Sequence, residues 1–396
     1  MRRIAYWLAL ILIFIIPWED SISIPALGSI ARLMGLVVAA FWAATMLLDG
    51  HFRKPHLFHA FVLLFFLWNF MSLFWSFDIE STMQRIKTYS QVFLLMLLFW
   101  DVLQKPENLI SGLQAFIFGC FMLIMSTIYN FIGGNVAVVY EGRYSATGIN
   151  ANDLSLILII GLPIAMQLFF SASPGMSGTL LKIINLAFVP LAIFAIALSG
   201  SRTSLIAIIP FGLFMIGTHL IRFPRKVLIF VIFLFSLLIL IPFVPQSLIN
   251  RLGTIGTSIG EGDLGGRLDL WSKGIIVLSQ HPILGIGSGA VISSIGSAVH
   301  NTFISIADET GFIGFILFCS ILGIVVYQIL NMPKGSSGLW LAIFLTWVIG
   351  VLSLSWEFRK LTWIVLSFVI IESSFCKPAM TPKANELFSR VAKPAL

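Results

Sequence analysis

The chain has 396 residues, of which 58% are hydrophobic and 10% are charged, and its mean hydropathy is +1.00. Soluble domains carry about 25% charged residues, so this composition excludes a soluble globular protein and predicts an all-α polytopic membrane protein. The formal net charge of +7 is explained better by membrane topology than by nucleic-acid binding. Membrane lipid is therefore an expected partner, and nucleic acid is not.

Apolar stretches of the length that crosses a bilayer recur along the chain, and we predict about twelve transmembrane helices. Arg2 and Arg3 precede the first stretch, which has no small-residue cleavage site before Glu19 and is interpreted as a retained helix. The predicted spans are 4–17, 28–48, 57–76, 89–104, 109–132, 153–171, 180–198, 203–221, 227–245, 302–330, 339–355 and 361–375.

The loops between these spans divide the positive charge unequally. Fourteen of the 24 Lys and Arg residues fall on the side that includes the N-terminus. Because positive charge marks the cytoplasmic side, both termini are predicted in the cytoplasm. We expect helices one to nine in 1–245, an outward loop in 246–300, helices ten to twelve in 301–375 and a cytoplasmic tail in 376–396.

The outer side is rich in arginine, whose planar fork can bind phosphate through two hydrogen bonds. In "SGSRTS", residues 199–204, Arg202 lies in the short connection between two spans, either as an anion ligand or as a snorkelling arginine at a helix end. In "GRYSATGINAND", residues 142–153, Arg143 could reach a bound ligand, while Asn152 or Asp153 could simply cap the following helix.

Two further stretches follow in the outer loop. "GRLDLWSKGIIVLSQHP", residues 266–282, has apolar residues at 268, 271, 275 and 278, which predicts an amphipathic helix at the outer surface, ended by Pro282. His300 lies where the loop meets the membrane, as a functional group or as an interfacial histidine at a helix start. Glu309 follows within the next span, where a carboxylate indicates either function or an ion pair with an outer arginine.

These residue types suffice for one kind of chemistry. A sugar carried on a lipid pyrophosphate has a good leaving group, whose charge Arg202 and Arg267 could bind. The attacking sugar hydroxyl needs a base, and an unperturbed histidine such as His300 has a pKa of about 6.5. No metal and no cofactor is expected. A metal-dependent alternative would use the acidic clusters at 19–20 or 78–80 in the outer loops.

The order of these motifs resembles the bacterial O-antigen ligase and O-antigen polymerase superfamily of membrane glycosyltransferases. The resemblance is carried by a Ser-Arg hairpin, a Gly-Arg…Trp…His-Pro…Gly-x-Gly run, and a His-Asn pair followed by Glu-x-Gly-x-x-Gly. The "RYSATGINAND" stretch and the large outer loop add to it, so that it covers most of the chain. Its residues are Ser201, Arg202, Gly266, Arg267, Trp271, His281, Pro282, Gly285, Gly287, His300, Asn301, Glu309, Gly311 and Gly314.

The resemblance implies a GT-C-like helical bundle in the bacterial inner membrane. It implies a metal-independent, inverting transfer of a glycan from undecaprenyl pyrophosphate at the periplasmic face. His300 would be the essential base, Arg202 and Arg267 would bind the pyrophosphate, and the helix around 266–280 would help to cover the site. Further candidate ligand-binding residues are Arg143, Asn152, Trp271 and Glu309.

Three functions stay open at this point. A ligase hands the glycan to lipid A–core, and a polymerase hands it to another lipid-linked repeat. We favour the ligase because the His-Asn…Glu-x-Gly-x-x-Gly pattern is typical of it. A transporter of lipid-linked saccharide is the alternative from another class, although transporters usually show two related halves with broken helices near the membrane midplane.

Overall fold

The computed structural model describes residues 1–24, 28–137, 142–171, 175–220, 241–253 and 266–376. Within these residues the chain is a bundle of helices with one very short hairpin, so the all-α fold class is confirmed. The hairpin pairs β1 (Ser23–Ile24) with β2 (Gly28–Ser29) in antiparallel register, with Ser23 opposite Ser29.

The described helices are numbered in chain order. They are α1 Arg2–Ile15, α2 Ile30–Asp49, α3 Leu57–Met71, α4 Ile79–Val102, α5 Pro106–Ile132, α6 Ala151–Ser171, α7 Met176–Ser199, α8 Arg202–Ala207, α9 Ile209–Phe214, α10 Gln246–Gly253, α11 Arg267–Gln280, α12 Val291–Ile295, α13 Thr302–Leu330, α14 Lys334–Val351 and α15 Lys360–Ser373. Turns of 3₁₀-helix occupy Ile16–Ser21, Ser72–Phe74 and Ile241–Phe243, and a π-helix occupies Met215–Leu220.

Some predictions fall outside the described residues. Most of the predicted ninth span at 227–245 lies there, as do residues 254–265 of the outer loop and nearly all of the tail at 376–396. The division of the chain into helices one to nine, an outer loop, three further helices and a tail therefore stays a prediction.

Eight described helical segments are long and apolar enough to cross a membrane, so a multi-pass membrane protein is confirmed. They are Arg2–Ser21, Ile30–Asp49, Leu57–Phe74, Pro106–Ile132, Ala151–Ser171, Met176–Ser199, Thr302–Leu330 and Lys334–Val351. α4 and α15 match two further predicted spans, 89–104 and 361–375. However, α15 has 14 residues, roughly 21 Å at 1.5 Å per residue, which is short of a full crossing. The count of twelve spans stays a prediction.

The predicted span 203–221 coincides with an apolar helical stretch, Arg202–Thr218, which is irregular around Pro210. It consists of α8, α9 and the π-helix, with the interruption at Ile208. Pro210 lacks the backbone N–H that would bond to the carbonyl of Ile206, so the ladder of helical hydrogen bonds is broken there. An apolar count cannot detect this interruption, because the residues on both sides of the proline are hydrophobic.

One end of the bundle, which we call the His300 end, is held together by polar contacts between helix ends that are distant in sequence. Thr302 Oγ1 donates to the Leu354 carbonyl and accepts from the Trp356 backbone N–H, both at 2.8 Å. The Trp356 indole N–H donates to Asp153 Oδ1 at 2.8 Å. These bonds join the starts of α6 and α13 to the loop that follows α14. They also provide hydrogen-bond partners for polar groups that would find none in lipid.

α13 breaks at Gly311, where an earlier loop crosses the helix. Gly311 has φ 63° and ψ −171°, a conformation that is in practice open only to glycine. The break frees the carbonyls of Asp308 and Glu309, and the backbone N–H groups of Ile286 and Gly287 donate to them at 2.9 and 3.0 Å. The helix is therefore kinked at Gly311, and the kink allows backbone hydrogen bonds between the segment 282–287 and α13.

Replacing Gly311 by alanine should lower the apparent melting temperature by roughly 5 °C or more. A Cβ atom there would lie 2.1 Å from the Ile283 carbonyl oxygen, in addition to the strain of the positive φ. The control is Gly323→Ala in the same helix, where an added Cβ meets nothing within 4 Å and alanine favours the helix by about 1 kcal/mol. Thermal unfolding in detergent, followed by tryptophan fluorescence, measures both variants. Equal shifts would contradict this account of the break.

Candidate functional site

Four arginines from distant parts of the sequence lie within electrostatic range at the His300 end. Arg143 precedes α6, Arg202 is the first residue of α8, Arg251 lies in the last turn of α10 and Arg267 is the first residue of α11. An added Cβ at Gly200, two residues before Arg202, would lie 3.4 Å from Arg251 Cδ and 3.5 Å from Arg143 Cγ, so these three arginines meet at one place. Burial and then the charges of these three arginines lower the pKa of Arg267, which lies within their electrostatic range. We call these residues the arginine cluster.

The C-terminus of α7 organises two members of the cluster. Gly200 follows the helix with φ 58°, the left-handed conformation that commonly ends helices. Arg143 Nε donates to the Ser199 carbonyl at 2.6 Å, and Arg251 Nε donates to the Gly200 carbonyl at 3.1 Å. Carbonyls at a helix C-terminus carry partial negative charge and stabilise cations. Two backbone carbonyls of the hairpin that contains Arg202 thus bind the guanidinium groups of Arg143 and Arg251.

Asn152 is tied to the arginine cluster and does not cap its helix. Arg143 Nη2 donates to Asn152 Oδ1 at 2.7 Å. The prediction that Asn152 or Asp153 caps α6 is wrong, because Asn150 Oδ1 accepts from the Asn152 backbone N–H at 2.8 Å just before the helix begins. Asp153 is the third residue of α6, and its Oδ2 accepts from Arg359 Nη2 at 2.9 Å.

The electrostatics of the arginine cluster suit an anion. Arg267 donates no hydrogen bond to any residue within the described parts of the chain, and the charges that act on it are cationic. Holding like charges together costs free energy, and an anion bound among them recovers it. The planar guanidinium fork matches the oxygens of a phosphate. The arrangement therefore has the chemistry of a phosphate or pyrophosphate site.

His300 lies directly before α13, within range of the charge of Arg267. Its φ is 53°, the one positive φ at a non-glycine residue in the described part of the chain. Such a conformation costs free energy and persists where the surroundings hold it. The next residue, Asn301, caps α13 by accepting from the backbone N–H groups of Phe303 and Ile304. This cap fixes the start of α13 and explains why asparagine follows the histidine.

The environment of His300 favours its neutral form. Partial burial and the charge of Arg267 lower the pKa of His300, and the charge of Asp153 acts in the opposite direction. A neutral imidazole can accept a proton, so the lowered pKa extends the base-competent form to more acidic conditions. His300 thus lies within range of the charge of Arg267, and Arg267 lies within range of Arg202, of the predicted candidate Arg143 and of Arg251, which the sequence analysis did not single out. The roles of these residues as one site stay a prediction.

The helix predicted over 266–282 is confirmed as α11, but its packed face differs from the predicted apolar stripe. Leu268 and Ile275 of that stripe are exposed, whereas Gly274 and Val277 are buried. An added Cβ at Gly274 would lie 2.7 Å from Asp308 Oδ2, so the glycine allows α11 and α13 to approach closely. Hydrophobic spacing missed this face because its central residue is a glycine.

Trp271 belongs to the packing of α11. It lies against a small apolar cluster that includes Val277, Val299 and Ile304 and joins α11 to α13. Its indole N–H is buried and makes no hydrogen bond within the described residues. No described contact joins Trp271 to the arginine cluster, so its role as a ligand-binding residue stays a prediction.

Glu309 lies in a separate ion-pair network. Arg85 donates to Glu309 Oε1 at 3.4 Å and to Glu357 Oε1 at 3.0 Å, and both carboxylates are almost fully buried. Ser305 also donates to Glu357, at 3.1 Å. The ion pair with an outer arginine is therefore the alternative that the structure supports for Glu309. No described contact joins Glu309 to His300 or to the arginine cluster.

Replacing Arg85 by methionine should destabilise the fold by about 3–5 kcal/mol, because two buried carboxylates lose their cation. Adding Glu309→Gln to this variant should recover part of the loss, since it removes one of the two negative charges. Lys87→Met, an exposed site on the same helix, is the control and should change little. Denaturation in detergent measures all three variants. A double variant no more stable than the single one would count against the network.

The acidic clusters of the metal-dependent alternative have protein partners. Lys360 donates to Glu19, and Arg359 donates to Asp20. Asp78 caps α4 by accepting from the Ser81 backbone N–H at 3.0 Å. Among the described residues, no group of three His, Cys, Asp or Glu side chains stands close enough together to hold a metal ion. Glu19, Asp20 and Asp78 therefore have structural roles at the His300 end.

Comparison with known protein families finds a match for part of the chain. The family model described as O-antigen ligase matches residues 187–319, about a third of the chain. This segment contains Arg202, Arg251, Arg267 and His300, while Arg143 precedes it. No individual curated protein matches the chain. Residues 187–319 are thus similar to the O-antigen ligase family.

Proposed function

We propose that this protein is an O-antigen ligase that transfers a glycan from undecaprenyl pyrophosphate to a hydroxyl of lipid A–core at the periplasmic face of the inner membrane. The observation that carries the proposal is the convergence of four arginines with His300 at one end of a membrane bundle. The match of residues 187–319 to the O-antigen ligase family supports the same reaction class.

In the proposed site, the arginine cluster binds the donor pyrophosphate. Arg202 and Arg267 supply the planar forks, and Arg143 and Arg251 add positive charge while their Nε atoms remain on the carbonyls at the end of α7. Asn152 Oδ1 accepts from Nη2 of the same Arg143 guanidinium. α11 covers the site, with Trp271 anchoring it to α13. Cationic groups placed in advance stabilise the charge that develops on a leaving pyrophosphate.

His300 acts as the general base. It removes the proton from the attacking hydroxyl of the acceptor, whose oxygen bonds to the anomeric carbon of the donor sugar. The bond between that carbon and the pyrophosphate oxygen breaks, and the pyrophosphate stays on its lipid carrier. Attack from the face opposite the leaving group inverts the anomeric configuration. The arginines bind the released charge, so this scheme needs neither a cofactor nor an added metal.

The proposal is tested by an assay with purified protein, a lipid-linked donor and two acceptors offered together, lipid A–core and a second lipid-linked repeat. We expect transfer to lipid A–core, undiminished by EDTA. Transfer to the repeat instead would identify the polymerase, the second candidate that the superfamily includes. Movement of intact donor across the membrane without any transfer would overturn the enzyme assignment in favour of a transporter.

The acid limb of the pH profile should report His300. Because the neutral imidazole is the base, transfer falls as the pH drops below the pKa of His300, which lies under its usual value of about 6.5. Arg267→Gln removes a charge that lowers this pKa, so the acid limb should move to higher pH when the donor is saturating. Lys273→Gln, on the same helix and paired with Asp269 at 2.7 Å, is the control. Identical acid limbs in wild type and Arg267→Gln would contradict the base assignment.

A further inference from the structure

Asp153 is a carboxylate at the His300 end to which the proposed transfer step gives no task. The residue is 9% exposed. A buried carboxylate is costly unless it is paired and hydrogen-bonded, so its partners indicate its role. The preceding residue, Asn152, accepts from Arg143 of the arginine cluster. The start of α6 therefore places this carboxylate within one residue of a contact to the cluster.

Two donors hold the Asp153 carboxylate. The Trp356 indole N–H donates to Oδ1 at 2.8 Å, and Arg359 Nη2 donates to Oδ2 at 2.9 Å. Both donors come from the segment between α14 and α15. Trp356 is 2% exposed, and a closely packed ring has little room to move. The direction of the carboxylate is therefore fixed by the packing of Trp356 as well as by the ion pair.

Trp356 also holds the chain beside His300. Its backbone N–H donates to Thr302 Oγ1 at 2.8 Å, and Thr302 follows His300 by two residues. Asn301, between them, caps α13. Asp153 and the segment of His300 therefore share one anchor. The side chain of Trp356 holds the carboxylate, and its backbone holds the start of the helix.

The ion pairs around Asp153 leave negative charge over. Arg359 pairs with both Asp153 and Asp20, so that one guanidinium serves two carboxylates. Lys360, the next residue, is paired with Glu19 and does not change this balance. The His300 end thus contains an anionic group around Asp153 in addition to the cationic arginine cluster.

His300 lies within range of charges of both signs. Partial burial and the charge of Arg267 on α11 lower the pKa of His300, and the charge of Asp153 on α6 raises it. When His300 accepts a proton, a positive charge appears on a residue that already feels the arginine cluster. Such a charge is costly unless a negative charge faces it, and Asp153 supplies one.

We propose that Asp153 is a positioning residue that acts through His300: its carboxylate stabilises the imidazolium that forms when His300 removes the proton of the acceptor hydroxyl, an assignment that rests on the proposed role of His300 as the base. The proton passes from the hydroxyl oxygen to the imidazole. The electron pair of the broken O–H bond forms the new bond to the anomeric carbon. Asp153 itself exchanges no proton.

The first test measures the protonation of His300 without any transfer reaction. Diethyl pyrocarbonate modifies neutral imidazole, and His300 is exposed to such a reagent. Labelling of the full-length protein in nanodiscs is followed over a series of pH values by mass spectrometry of the peptide. About one pH unit below the wild-type midpoint, His300 should react at least about threefold faster in Asp153→Asn, because its imidazolium has lost a stabilising charge. His281 in the same variant is the internal reference and should react as in the wild type.

The second test measures transfer in the same variant. The acid limb of the pH profile should move to lower pH in Asp153→Asn, the direction opposite to that expected for Arg267→Gln. The kcat should fall about tenfold with little change in the KM for the donor, because the arginine cluster is intact. Asp153→Glu keeps the charge and should bring the acid limb back towards that of the wild type.

The fold should tolerate the asparagine, and Asp20→Asn is the matched control. The amide oxygen of an asparagine at position 153 can still accept the indole N–H of Trp356, and Arg359 keeps its ion pair with Asp20. Asp20→Asn removes the other carboxylate of the same guanidinium, and the charge of Asp20 is not among those that act on His300. It should leave labelling and transfer unchanged. Asp153→Gln makes the same change of charge and replaces Asp153→Asn if that variant does not purify.

A labelling profile of His300 in Asp153→Asn identical to that of the wild type would overturn the proposal. An equal displacement in Asp20→Asn would overturn it as well, because the effect would then come through Arg359. Labelling does not require glycan transfer, so the two assignments fail separately. A displaced labelling profile together with wild-type transfer by His300→Asn would support the pairing of Asp153 with His300 and contradict the base assignment alone.

Discussion

Replacing His300 by asparagine is expected to reduce glycan transfer about 10²- to 10⁴-fold, the range that a positioned general base contributes. Asparagine is the chosen substitute because His300 has φ 53°, and asparagine tolerates this backbone conformation better than alanine does. The folded bundle and its membrane insertion should therefore persist. The measurement is the initial rate of transfer by purified protein with a lipid-linked donor.

His281→Asn is the matched control for this variant. His281 lies in the same outer segment, packs its ring edge-on against Phe77 with the ring centroids 5.0 Å apart, and has no part in the proposed reaction. Its replacement should leave the transfer rate close to that of the wild type. Transfer at the wild-type rate by His300→Asn would remove the base assignment. Equal losses in both variants would indicate damage to the outer segment instead of lost catalysis.

Replacing Arg267 by lysine should cost about 10²-fold in kcat/KM although the formal charge is unchanged. A guanidinium fork can hold two phosphate oxygens at once, whereas an ammonium group is a point charge. Arg267 makes no hydrogen bond to a described residue, so the substitution should leave stability nearly unchanged. Arg202→Lys should act in the same direction. The measurement is the dependence of the transfer rate on donor concentration.

The control for the lysine substitution is Arg2→Lys at the opposite end of the bundle. Arg2 forms an exposed ion pair with Asp49 at 3.2 Å, which a lysine can replace. This variant should behave like the wild type in both stability and transfer. If Arg267→Lys retains the wild-type kcat/KM, bidentate binding of the donor by Arg267 is excluded.

Much of the fold follows from hydropathy, because helices are the structures that satisfy every backbone group within lipid. The sequence also indicated an anion-binding role for two arginines of the cluster. Arg202 lies in a very short connection between two apolar spans, and Arg267 begins an amphipathic helix. Glycine adopts backbone conformations that other residues rarely adopt, and α13 is kinked at Gly311 of the Glu-x-Gly-x-x-Gly pattern. In each case a local pattern carried the information.

The contacts that the sequence did not predict join residues far apart in the chain. Arg85 and Glu357 are separated by 272 positions, and nothing in either neighbourhood indicates that they meet beside Glu309. The sequence around Arg251 gives no sign that its Nε donates to the Gly200 carbonyl at the end of α7. The interruption at Ile208 and the cap at Asn150 were missed because hydrophobic counts do not read backbone hydrogen bonds.

In the proposed site, anion binding and proton removal are separate tasks of different side chains. Calorimetric titration with inorganic pyrophosphate tests this division directly in the wild type, Arg267→Lys and His300→Asn. We predict binding by the wild type, a Kd at least about tenfold weaker in Arg267→Lys, and a nearly unchanged Kd in His300→Asn, which is nevertheless inactive in transfer. The same Kd in wild type and Arg267→Lys, or no binding by any of the three proteins, would contradict it.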